Sequence, residues 1–199
     1  MLLRRRPPRI DSGPLVARPG FEHLDRDVLA VLKWLTANKV DFVLVGPIAY
    51  LVRGDADAAG PVAVVPAPYV RNLERLSRAL GAEHARLRVE GRRSGATAPD
   101  SLPVRLSAEK LARGARWMLR CGPHELDIEG AAGRGSSRRS AGSRYQELLY
   151  EAGRFQLAEG VSVEVASPED LEHYEHLRRT GIAPEMRITR QAKAEHEPA

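Results

Sequence analysis

The stretch VDFVLVGPIAYLVRG, residues 40–54, decides the fold class. Asp41 to Val45 is a short, nearly all-apolar run, as expected of a buried strand. Gly46-Pro47 ends the run. Pro47 suits the first turn of a helix, because its φ is already helical and its missing N–H is one that a helix start leaves unbonded anyway. That helix is expected to run through Val52 and to close at Gly54.

The same alternation continues on both sides. Upstream, Val28, Leu29, Val31, Leu32 and Leu35 recur at helical spacing between about Leu24 and Asn38. Downstream, Asp55 to Gly60 is a loop, Val62 to Val65 a second strand, and Pro68 opens a helix with Val70, Leu73, Leu76 and Leu80 on one face. Residues 90–103 read as a polar loop, after which Ser107 caps a short helix through Ala112. Trp117 to Cys121 and His124 to Ile128 flank a Gly-Pro turn as a strand pair. Ser143 and Gln146 form a capping box for a helix through Tyr150. Phe155 to Leu157 and Val161 to Val165 make a second hairpin, and Ser167-Pro168 starts a last helix through about Arg179. This order predicts an α/β or α+β domain, a mixed sheet flanked by helices. The domain is expected over residues 21–188, with a flexible low-complexity loop at 130–143. A disordered basic arm (1–20) precedes it and a polar tail (189–199) follows.

Composition narrows the class. Over 199 residues, 43% hydrophobic and 29% charged side chains are ordinary for a globular protein. The apolar runs are too short to span a membrane, and the basic amino terminus lacks the apolar stretch of a secretory signal. One cysteine, Cys121, excludes an internal disulfide and points to a reducing cytoplasm. The net charge of +5 has its excess mainly in Arg4–Arg9 and Arg134–Arg144. This basic arm and loop are candidate contacts for nucleic acid phosphates, although such segments are more often solvated ends.

Three segments, VDFVLVGPIAYLVRG, AAGPVAVVPAPYVRNLERLSRALGA and LSAEKLARGARWMLRCGPHELDIEG, occur here in order, with GRFQLAEGVSVEVASPEDL behind them. In that order, over about residues 24–180, the chain resembles the small nucleotidyltransferase-fold proteins, near the abortive-infection toxin-like and minimal nucleotidyltransferases. The resemblance implies a bacterial-type fold in which a glycine turn opens a helix against the phosphates of a nucleoside triphosphate. An Asp-x-Asp on a second strand, with a third acid from a later strand, would hold Mg²⁺. Two carboxylates at i and i+2 leave a strand on one face and can share metal ions with a third.

Aligned on NLERL (residues 72–76), the aspartate pair falls on Pro61 and Ala63 and the preceding threonine on Ala59. None of these can ligate a metal. The second turn residue is Pro47, which has no N–H for a phosphate. Asp127 alone is retained as a metal ligand, with Gly46 and Arg53 as remnants of nucleotide binding. The resemblance therefore implies a degenerate site and a pseudoenzyme acting by binding or regulation, with a protein partner. The alternative is an active Mg²⁺-dependent nucleotidyltransferase of toxin–antitoxin type, using Asp55, Asp57 and Asp127. Asp55 and Asp57 lie six residues upstream of the expected place and read more simply as turn residues.

Other residues carry less. Glu125, Asp127 and Glu129 alternate along one strand, either as an acidic floor or as the wet face of a half-exposed strand. His173 and His176 are an i, i+3 pair without zinc spacing and read as surface residues. Cys121, Trp34 and Trp117 are expected to pack, and Arg53 has an alternative role in answering a helix dipole.

Overall fold

The computed structural model describes residues 6–10, 14–88, 101–130 and 143–180. The chain is a mixed α/β protein. Its helices are α1 (Arg26–Ala37), α2 (Gly46–Val52), α3 (Val70–Ala82), α4 (Ala108–Ala112), α5 (Ser143–Glu151) and α6 (Pro168–Thr180). Its strands are β1 (Phe42–Val45), β2 (Val62–Pro66), β3 (Arg86–Arg88), β4 (Ser101–Pro103), β5 (Trp117–Cys121), β6 (His124–Ile128), β7 (Gly153–Ala158) and β8 (Val161–Val165). They form one sheet in the order β4-β3-β5-β6-β2-β1-β8-β7. β2 pairs parallel with β6, and β1 pairs parallel with β8; the other neighbours are antiparallel.

The centre of the sheet follows from composition. Every residue of FVLV in β1 and VAVVP in β2 is buried, which needs cover on both faces. α1 supplies one cover through Leu29, Val31, Leu32, Trp34 and Leu35, and is capped by Asp25, whose carboxylate accepts from the Asp27 N–H at 2.9 Å. α2 lies against β1, β2 and α6. α3 is tied to the start of β1 by Asn72, a fully buried amide. Its Oδ1 accepts from the Asp41 N–H at 2.8 Å, while its Nδ2 donates to the carbonyls of Asp41 (2.8 Å) and Ala67 (3.0 Å). The Asp41 N–H and the Ala67 carbonyl take their partner from this amide, while the Asp41 carbonyl also accepts from the Ala67 N–H at 2.9 Å. α6 starts at a reciprocal cap: the Ser167 hydroxyl accepts from the Asp170 N–H and donates to its carboxylate.

Two expectations need correction. β3 and β4 extend the sheet where the sequence predicts no strand and a polar loop, respectively; both are only three residues long and carry arginine or proline. Such short, polar edge strands lack the apolar run by which a strand is read, and they blunt the sheet's edge. The arm over residues 1–20 is not detached where it is described. Pro8 accepts from Asn38 Nδ2 at 3.0 Å, and the Ile10 N–H donates to Glu83 at 2.9 Å. Ala17 bridges Ala158 at the β7 edge, and the Arg18 N–H donates to the Leu157 carbonyl at 2.8 Å. Ile10 and Leu15 add apolar contacts with the core. The predicted loop at 130–143 and the tail at 189–199 fall almost wholly outside the described residues. Among the described residues, no helix is long and apolar enough to cross a membrane.

Candidate functional site

β6 lies beside β2 with Ala63 directly opposite Asp127. Register partners on neighbouring strands point their side chains to the same face, so a methyl group stands beside the Asp127 carboxylate. On that face Gly46, at φ 68°, begins α2 so close that a Cβ there would lie 3.0 Å from the Ala63 Cβ. Glycine meets both demands, the left-handed backbone and the close approach. Pro47 is packed in turn against Gly60, where an added Cβ would sit 2.8 Å from the proline Cγ. The end of the Asp55–Gly60 loop thus lies against the first turn of α2, on the residue that has no N–H to offer.

Asp127 is 1% exposed. Both of its oxygens are held by guanidinium groups: Oδ1 by Arg88 Nη2 at 2.5 Å and Oδ2 by Arg116 Nη2 at 2.9 Å. Arg88 also pairs with Glu125, and Arg120 reaches the other oxygen of Glu125 at 3.6 Å. Arg116 Nε lies 2.9 Å from Glu129 Oε1, an ion contact rather than an aligned hydrogen bond. Three arginines thus face three acids along β6. Burial disfavours the Arg116 charge, but the hydrogen bond to Asp127 and the charges of Glu129 and Asp127 outweigh it and hold this guanidinium above its ordinary range. The wet face considered for Glu125, Asp127 and Glu129 is corrected: Asp127 and Glu129 are buried, and only Glu125 keeps substantial exposure.

The resemblance makes Asp127 a metal ligand. Here its oxygens are hydrogen-bonded to arginine, and among the described residues no three His, Cys, Asp or Glu side chains are placed to hold a metal ion. Asp55 and Asp57 are exposed, and the Asp55 carboxylate accepts from the Asp57 N–H at 3.2 Å, a local turn. Arg53 does not reach toward Asp127. It ends α2, donates through Nε to the Ala166 carbonyl at 2.6 Å and through Nη2 to that of Val165 at 3.0 Å, and lies 5.4 Å from the Phe155 ring centre. It ties α2 to the end of β8 instead of answering its own helix dipole. Cys121 is buried, and burial, with the Glu83 charge adding, pushes its thiol up to about 12, so it is a packing residue at neutral pH. Trp34 is buried and Trp117 partly so. His173 is partly buried and His176 exposed on α6.

Arg88 and Arg116 were missed by sequence reasoning. A signal existed in the hairpin: Met118 is opposite Asp127 and Arg120 opposite Glu125, so Arg116, Met118 and Arg120 share the face of the three acids. Nothing comparable marked Arg88, because β3 itself was not recognised. A cavity of about 30 Å³ between Pro66, Leu73, Leu111, Ile128 and Glu129 has room for water, not for a nucleotide. Comparison with family models, curated proteins and solved structures returns no match.

Proposed function

We propose that this chain is a nucleotidyltransferase-fold protein that has given up nucleotide transfer and acts by binding or regulation through a protein partner. The observation that carries this reading is the pairing of Ala63 with Asp127, whose two oxygens are both held by arginine. In the chemistry that the resemblance implies, the Ala63 position supplies a carboxylate and Asp127 turns its oxygens to Mg²⁺. Here the first is a methyl group, and the negative charge of the second is neutralised from within the chain. A divalent ion would have to displace two guanidinium groups without a second carboxylate on β2 to compensate.

The test is calorimetric titration of the full chain with ATP, GTP, CTP and UTP, each with and without Mg²⁺, alongside an assay for transfer of labelled nucleotide. The expected result is no Mg²⁺-dependent heat and no transfer. Mg²⁺-dependent binding, or transfer lost on substituting Asp55, Asp57 or Asp127, would sink the proposal in favour of the active enzyme. A P61D/A63D variant is expected to remain inactive. Pro47 still denies the phosphate an N–H, and a carboxylate at position 63 has Gly46 packed against it.

A further inference from the structure

The outer face of α3 carries a second charged feature, separate from the cleft. Arg71, Arg75 and Arg78 are spaced i, i+4 and i+7, so they fall within roughly 60° of arc and two turns of helix. The opposite face, with Leu73, Leu76 and Leu80, is buried in the core. Arg75 is held in place: its Nη1 donates to the Lys39 carbonyl at 2.7 Å and lies 3.7 Å from Asp41. That contact brings the end of α1, with exposed Lys39, alongside the stripe. Residues 6–10 join it there. Pro8 is bonded to Asn38 beside Lys39, and Ile10 and Arg9 contact Glu83 just beyond the end of α3.

Two of the three nearby acids are already paired. Asp41 accepts from the Tyr69 hydroxyl and faces Arg75, and Glu83 is taken by residues 9 and 10. Glu74 stands at the edge of the stripe, i+3 from Arg71 and four residues before Arg78, whose Nε donates to the Glu74 backbone carbonyl at 3.4 Å. Arg71, Arg78 and Lys39 have no carboxylate partner among the described residues. Tyr69, 49% exposed, sits at the start of the same helix.

We propose that this face, built from Lys39, Arg71, Arg75 and Arg78 and extended by Arg9, binds the phosphodiester backbone of nucleic acid. Planar guanidinium groups on a rigid helix match phosphate oxygens geometrically, and the docked arm continues the same positive surface. Leu73, Leu76 and Leu80 face the core, and the exposed large apolar residues of this helix are only Tyr69 and Val70 at its start. That patch is too narrow for the apolar face that inserts into a bilayer, which favours nucleic acid over an anionic membrane. The binding is independent of sequence and falls with salt, because it is driven by counterion release.

The test is fluorescence anisotropy of the full chain with a labelled DNA duplex of about 20 base pairs, over a range of salt concentrations. A K39Q/R71Q/R78Q variant leaves Arg75 and its contacts intact. It is expected to weaken binding about tenfold or more and to reduce the slope of log affinity against log salt by roughly two. An R18Q/R26Q/R154Q variant removes the same charge from other parts of the surface, and is expected to bind nearly as wild type does. No binding by wild type at low salt would overturn the proposal. So would equal losses in both variants, which would mean diffuse attraction, or preference for phosphatidylserine vesicles over DNA.

Discussion

The two halves of the sheet are held together by different physics. In β2, β1 and β8 the buried positions are almost all apolar, so removal from water stabilises them without directional demands. In β3, β5 and β6 the face around Asp127 is a ladder of arginines and acids. There Asp127, Glu129 and Arg88 have been taken largely out of water, while Arg116, Arg120 and Glu125 keep part of their exposure. Asp127 stays buried as a charge only because its guanidinium partners do. The apolar half tolerates change in proportion to lost volume, whereas the charged half responds sharply to the loss of one partner.

The largest expected effect comes from breaking that ladder. An R88Q/R116Q variant leaves Asp127 buried without its guanidinium groups, and should lose about 3–5 kcal/mol in urea unfolding. Adding D127N to it should restore part of the loss. If the double variant were as stable as wild type, the contrast between the halves would fail. A smaller effect sharpens the comparison from the other side. Asn72 is the polar exception beside the apolar strands, and Asn72→Leu strands the Asp41 N–H and the Ala67 carbonyl, whereas the Asp41 carbonyl keeps the Ala67 N–H. A loss of about 2–3 kcal/mol is expected, and a neutral result would show that water replaces the amide. Smallest is removal of residues 1–20, which strips the contacts to Asn38, Glu83 and Leu157. A loss of about 1–2 kcal/mol would lower Tm by roughly 3–6 °C. An unchanged Tm would return the segment to a detached arm.

The candidate site was legible in part. The alternation of HELDIEG put three acids on one face of β6, and the Gly-Pro turn set the hairpin that placed Arg116 and Arg120 on the same side. Burial of Asp127 was not legible. Whether a strand's polar face is wet or covered depends on elements far along the chain, here Arg88 at the end of a strand too short to show any period. Arg53 gives the same lesson. Its place at the end of α2 was clear from Gly54, but its partners, the carbonyls of Val165 and Ala166, lie more than a hundred residues away.

Sequence alone determined what depends on neighbours along the chain. The all-apolar runs of β1 and β2, Pro47 in the first turn of α2, the hairpin about Gly122 and the cap at Ser167 all follow from local sterics and periodicity. It also determined that Pro61 and Ala63 bring no carboxylate to β2. Only the tertiary structure decided that Ala63 stands opposite Asp127, that two arginines clamp that aspartate, and that residues 6–10 lie beside the end of α3. Those are contacts between segments distant in sequence, selected by the packing of the whole sheet and by the cost of leaving a buried charge alone.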